Sequence, residues 1–120
     1  MLRLCADKYC MEIDTTNKNW CQCWLVIDDH FTYIGAENLQ YLKDHLLAGF
    51  DDSSKEISGN LHGYDFSWVL SLAEVHTSLY IAEDGQERIL LFQDADGKEI
   101  CILKLSHNKY LEWRNQISSI

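Results

Sequence analysis

The clearest pattern of hydrophobic and polar positions lies between residues 64 and 72, where apolar and polar residues alternate with a period of two. Such alternation predicts a strand that buries one of its two faces. One set of alternate positions is then assigned to the core: Tyr64, Phe66, Trp68, Leu70 and Leu72.

Six further segments are rich in branched and aromatic residues and are separated by turn formers, which predicts strands. They are residues 9–14, 20–27, 31–34, 77–82, 87–93 and 99–105. A compact polar turn at residues 28–30 joins two of them, and Gly35 is expected to end the extended chain after residue 34. Asp-Gly turns near Gly85 and Gly97 predict that the last three strands form an antiparallel meander.

Two segments show helical spacing instead. Leu39, Leu42 and Leu46 predict a helix over residues 37–48, with Gly49 at its stop. The second helix is expected between Ser106, as its N-cap, and about residue 117. Its apolar stripe consists of Tyr110, Trp113 and Ile117.

Because helices and hairpin-linked strands are segregated along the chain, the fold class is predicted to be α+β. We expect a curved, mainly antiparallel sheet of six or seven strands, with one internal and one C-terminal helix on one side of it. The 120 residues contain no proline and no linker-like stretch, so residues 1–120 are predicted to form a single domain.

Charge narrows the classes of function. The chain has 19 acidic and 10 basic residues, a net charge of −9, and no basic cluster, so we expect no nucleic-acid binding. Residues 19–54 hold −5 of this charge, with Lys43 as their only base. An acidic region of this kind can steer a basic partner into contact, or it can be a solvated face that keeps the protein soluble.

The acidic residues of that region are Asp28, Asp29, Glu37, Asp44, Asp51 and Asp52.

The five cysteines are an odd number and cannot all pair within the chain, so a disulfide framework is not expected. The N-terminus lacks the apolar stretch of a secretory signal, which predicts a cytoplasmic location and reduced thiols. Cys21 and Cys23 lie one residue apart with no second pair, so we interpret them as core residues and not as metal ligands. No apolar run approaches the ~18–20 residues that cross a bilayer, so no membrane insertion is expected.

No motif in the sequence indicates a particular reaction. The glycines form no phosphate-binding loop, and residues 94–97 suit a hairpin turn better than a calcium loop. None of the five histidines lies in a catalytic signature, so surface or capping roles are expected for them. Trp68 and Trp113 are assigned to the core, whereas Trp20 and Trp24 lie on the opposite side of their strand from Cys21 and Cys23, a side that is either covered or meets a partner. We therefore expect no cofactor and no enzymatic activity.

Residues 20–35, WCQCWLVIDDHFTYIG, are followed directly by the predicted helix around Leu42. This strand-turn-strand-glycine-helix order resembles the opening of several small bacterial immunity proteins, the partners of polymorphic and contact-dependent growth inhibition toxins. The resemblance implies a cytoplasmic protein that binds a toxin domain and blocks its active site or an exosite. An acidic surface would suit a basic, nuclease-type toxin, and the binding candidates are Asp28, Asp29, Asp51 and Asp52.

Two other classes of function stay open at this point. One is a small-molecule-binding protein or enzyme that uses a pocket on the curved sheet. The other is a homo-oligomeric structural or regulatory module.

Overall fold

The computed structural model describes residues 1–51 and 56–120. The described elements follow the chain in this order: β1 (Leu2–Ala6), β2 (Tyr9–Ile13), β3 (Cys21–Ile27), β4 (His30–Glu37), α1 (Leu39–Asp51), β5 (Gly59–Leu61), β6 (Tyr64–Ser71), β7 (Ser78–Asp84), β8 (Glu87–Gln93), β9 (Glu99–Leu105) and α2 (His107–Ser118). The α+β class, with one internal and one C-terminal helix, is confirmed.

The strands form two antiparallel sheets in place of the expected single sheet of six or seven strands. The first sheet has the order β1-β2-β3-β4 and the second the order β5-β6-β7-β8-β9. The sequence pattern missed β1 and β5, because neither contains the β-branched or aromatic residues that identify a strand. The Asp-Gly turns do join an antiparallel meander of β7, β8 and β9, as predicted.

A short bridge between Ala36 and Ala73 connects the two sheets through a pair of backbone hydrogen bonds of 3.2 and 3.0 Å. Gly35 lies beside this bridge with a φ of 121°, and a Cβ on it would collide with the carbonyl oxygen of Ala73 and with Leu72. Contrary to the prediction, Gly35 does not end its strand, since β4 continues to Glu37. The glycine instead allows the two sheets to approach each other.

Both helices pack against a core that is shared with both sheets. Asn38 accepts a hydrogen bond from the Tyr41 amide at the start of α1, and Ser106 caps α2 as predicted. The predicted stripe of α2, Tyr110, Trp113 and Ile117, is buried. Gly49 does not stop α1 but lies inside it. A Cβ there would be only 2.7 Å from a methyl carbon of Val69, so the glycine leaves room for that side chain.

The prediction for Trp68 is wrong. The pairing of β6 with β7 shifts between Trp68 and Leu70, and this bulge breaks the alternation. Phe66 therefore faces a small second cluster, Leu70 faces the main core, and Trp68 is 44% exposed.

The cysteines divide into two groups. Cys21, Cys23 and Cys101 are free and buried, which agrees with the core assignment of Cys21 and Cys23. Cys5 and Cys10 form a disulfide, contrary to the expectation of reduced thiols throughout. The bond joins residues that lie directly opposite each other in β1 and β2, a pairing that was hidden because β1 was not predicted.

Candidate functional site

Two of the four predicted binding residues lie together on one turn. Asp28 and Asp29 are the two central residues of the β3–β4 hairpin, with φ values of 49° and 66°, as a tight hairpin of the type favoured by strand twist requires. The Asp28 amide donates to the carbonyl of Lys8, and the Lys8 ammonium lies 3.6 Å from the Asp28 carboxylate. Asp29 is exposed and makes no ion pair with any described residue. The turn therefore presents one partly compensated and one uncompensated carboxylate.

Asp51 lies elsewhere, at the end of α1, and already has a partner. Arg114 of α2 donates two hydrogen bonds to its carboxylate, of 2.6 and 3.0 Å, and this carboxylate raises the pKa of the guanidinium. Asp51 thus connects the two helices, a role that no local sequence pattern indicates. Asp52, the fourth predicted residue, lies outside the described residues.

The face of the first sheet that points away from the core carries two rows of side chains, with one residue from each strand in each row. We call it the outer face. Its rows are Arg3, Glu12, Trp24 and Tyr33, and Cys5, Cys10, Val26 and Phe31.

The aromatic residues of the outer face lie on β3 and β4, the two strands that the Asp28–Asp29 turn joins. Phe31 follows that turn and is 65% exposed. Trp24 and Tyr33 are half-buried and pack with their ring centroids 5.7 Å apart. The sequence correctly separated Trp24 from the buried side of β3, but it missed Phe31 and Tyr33. The signal for them was the hairpin, since a two-residue turn at Asp28 fixes which residue of β4 lies beside which residue of β3.

The charges near these aromatic residues are mostly acidic. Glu12 is buried within the face and neutralised by Arg3, whose Nε lies 2.7 Å from the carboxylate. Burial, followed by the nearby carboxylate of Glu74, raises the pKa of Tyr33. Outside the face and its turn, carboxylates pair with four more of the basic side chains that the structure describes. These are Arg88, Lys104, Lys109 and Arg114. The uncompensated charge of the surface is consequently negative.

A second exposed aromatic group lies where α1 meets β6. Tyr41 and His45 stack at 3.9 Å, and the His45 ring meets Trp68 edge-on at 5.9 Å. Ser71 receives a hydrogen bond from the Trp68 indole. His45 is therefore a half-buried packing residue and not one of the expected surface or capping histidines.

A small cavity of about 140 Å³ opens on the second sheet. Its described lining is Ser58, Gly59, Leu61, Phe66, Tyr80, Leu91 and Gln93. Pockets for drug-sized ligands typically measure about 300–1,000 Å³, so this cavity suits at most a small ring. Tyr80 is the only titratable residue of that described lining, so no set of acid and base groups converges there.

Neither a cluster of metal-ligating side chains nor a membrane-spanning helix is found in the described part of the chain. No group of three or more His, Cys, Asp or Glu side chains among residues 1–51 and 56–120 could hold a metal ion. The predicted turn at Asp94 is confirmed, since its carboxylate accepts hydrogen bonds from the amides of Asp96 and Lys98. None of the described helices is long and apolar enough to cross a membrane.

The chain matches no family model, no curated protein and no solved structure.

Proposed function

We propose that the protein is an immunity protein that binds and neutralises a cognate, basic toxin domain of nuclease type, by covering its active site or an exosite. The observation that carries the proposal is the outer face, where exposed Phe31 lies two residues after Asp29 in the β3–β4 hairpin. The proposal places the protein in the cytoplasm, where it would meet a toxin before the toxin reaches its substrate.

The aromatic residues supply the contact area. Aromatic side chains are enriched at the centres of protein interfaces, where a few of them provide most of the binding energy. Phe31 is 65% exposed and is held on a strand, so little backbone freedom remains to be lost on binding. We assign it the role of central anchor, with half-buried Trp24 and Tyr33 as its neighbours.

The acidic residues supply steering and selectivity. Nuclease-type domains need basic clefts for phosphate substrates, and an acidic surface complements such a cleft. Among the predicted residues, Asp29 has the strongest case because no described cation compensates it. Asp28 is partly neutralised by its ion pair with Lys8, and Asp51 forms an ion pair with Arg114.

The test uses the intact protein as bait in an extract of its native strain, at low and at high salt. Any retained polypeptide is then produced alone, its nuclease activity is measured, and the activity is titrated with the purified protein. We expect one basic polypeptide whose retention falls as salt rises, and whose activity disappears at one equivalent. Retention without stoichiometric inhibition would contradict the immunity function.

Matched variants locate the interface. Phe31→Ala should weaken binding by roughly tenfold or more, the effect of losing about 1.4 kcal/mol at an anchor. Asp29→Asn should slow association several-fold at low salt and have little effect at high salt. Asp96→Asn and Trp68→Ala alter an exposed acid and an exposed aromatic elsewhere, and serve as controls. Equal losses in the controls and in the outer-face variants would show that the interface lies elsewhere.

The second candidate function, small-molecule binding, rests on the cavity beside Phe66. Its size favours a compact apolar or aromatic ligand. A thermal-shift screen of such compounds tests it, and Leu91→Trp, which would fill the cavity, should abolish any shift. A homo-oligomer in the absence of toxin would support the third class of function, a homo-oligomeric structural or regulatory module. Sedimentation of the purified protein tests for it.

A further inference from the structure

The five cysteines differ sharply in accessibility. Cys5 and Cys10 lie on the outer face and are partly exposed, next to the Asp7–Lys8 turn that closes the β1–β2 hairpin. The other three face the core, where Cys21 and Cys23 have no exposed surface and Cys101 is 7% exposed. A reagent in solution can therefore reach only the Cys5–Cys10 pair while the protein stays folded.

Reactivity follows the same division. The thiolate is the reactive form of cysteine, and burial opposes its formation. Burial raises the pKa of Cys23 to about 12 and that of Cys101 to about 11, and it also raises the pKa of Cys21. These three thiols are protonated at neutral pH and shielded from attack.

The backbone around the pair is held independently of the disulfide. Residues Leu2–Ala6 pair with Tyr9–Ile13 along their whole length, and Leu4 and Met11 are buried in the core. The carbonyl of Cys5 also accepts a 3.0 Å hydrogen bond from the Trp113 indole. The two sulfurs should consequently stay opposite each other after the bond is broken, so that it can form again.

We propose that Cys5–Cys10 is a reversible thiol–disulfide exchange site that reacts with a low-molecular-weight thiol, such as glutathione, and with the disulfide of that thiol. The inference is independent of the proposed immunity function. Disulfides of cytoplasmic proteins are commonly transient and redox-sensing, so the pair is compatible with the location proposed above.

The exchange takes place in two balanced steps. The small thiolate attacks one sulfur of the pair and forms a mixed disulfide, while the electron pair of the broken S–S bond leaves on the other cysteine, which takes up a proton. A second small thiolate attacks the sulfur of the bound small molecule, releasing the second protein thiolate, which is protonated in turn. Two electrons and two protons pass from two small thiols to the protein, and one small-molecule disulfide is formed.

The test counts maleimide-reactive thiols by mass spectrometry in the folded protein, with circular dichroism recorded on each sample. After treatment with oxidised glutathione we expect no label. After mild reduction with reduced glutathione, followed by its removal, we expect two labels that map to Cys5 and Cys10. Renewed oxidation should return the count to none, and the reduced, unfolded chain should take five labels.

Two variants serve as controls for this assignment of the labels. Cys101→Ser should leave the native count at two, whereas the double variant Cys5→Ser and Cys10→Ser should reduce it to none. Native labels on Cys21, Cys23 or Cys101, fewer than two labels after reduction, or a bond that does not form again would each overturn the proposal. Loss of the folded circular dichroism signal on reduction would also overturn it, since the pair would then be a structural bond.

Discussion

Replacing Gly35 with alanine tests how the two sheets are connected. Gly35 has a φ of 121°, in a region that residues with a side chain rarely adopt. Its missing Cβ leaves room for the backbone of Ala73, which forms the bridge to Ala36. An alanine would therefore be strained in its own backbone and would also press on the neighbouring sheet.

The magnitude combines these two effects. A residue forced into such a backbone conformation costs about 1–3 kcal/mol. Forcing a methyl group into a packed contact costs about another 1–3 kcal/mol, and here the contact includes Leu72 Cβ at 2.7 Å. We expect Gly35→Ala to lower the free energy of unfolding by about 3 kcal/mol or more, out of the roughly 5–15 kcal/mol typical of a domain. The melting temperature should fall by roughly 10 °C or more.

Other glycines of the chain separate the two contributions. Gly63 has a φ of 81° with open space around it, so Gly63→Ala isolates the backbone strain. Gly49 has no such strain but lies against Val69, so Gly49→Ala isolates the steric contact, offset in part by the helix propensity of alanine. Gly59 has neither feature, and Gly59→Ala is the control.

The assay is urea unfolding, followed by tryptophan fluorescence and by circular dichroism, for all four variants. We expect Gly59→Ala to stay within about 0.5 kcal/mol of the unsubstituted protein and Gly63→Ala to lose about 1 kcal/mol. If Gly35→Ala lost no more than Gly63→Ala, then the close approach of the sheets at Ala73 would be refuted.

Three further predictions concern other parts of the fold. Trp113→Phe should lower the free energy of unfolding by about 1–3 kcal/mol, because it leaves the Cys5 carbonyl without its indole donor. Trp68→Phe should lower it by less than about 1 kcal/mol, because that ring is exposed. Equal losses in urea unfolding would contradict the different burial of the two rings. Asp51→Asn should cost about 0.5–1 kcal/mol, less in 1 M salt, because its bond to Arg114 is partly exposed, and a loss above about 2 kcal/mol would contradict this. Burial raises the pKa of Cys23 from 9.0 to about 12, so between these pH values the folded state retains a proton that the unfolded chain releases. The free energy of unfolding should therefore fall as the pH rises from about 9 towards 12. If the urea midpoint of Cys23→Ala declined equally over this range, Cys23 would be excluded as the cause.

The parts of the fold that sequence could predict depend on local signals. The caps and stripes of the helices, and the Asp-Gly turns of the meander, are set by residues within a few positions of one another. The Ser106 cap and the buried stripe from Tyr110 to Ile117 were found for this reason.

The parts that sequence could not predict depend on contacts between distant segments. Gly49 reads as a helix stop, but the decisive fact is its contact with Val69, twenty positions away. The alternation assigns Trp68 to the same buried face as Leu70, but a bulge that is set by pairing with β7 lies between them and breaks the alternation. In both cases tertiary packing overrides a correct local rule.

The candidate interface also depends on contacts between distant segments of the chain. Each row of the outer face takes one residue from each of four strands, so no contiguous segment of sequence contains it. The net charge of −9 shows that acids are in excess, but not which ones are neutralised. Asp51 and Asp29 are equivalent in the sequence, yet Arg114 compensates the first and no described cation compensates the second. The ability of an acidic residue to attract a basic partner thus depends on its neighbours in the fold, which is why Asp29 beside Phe31 is the first position to substitute.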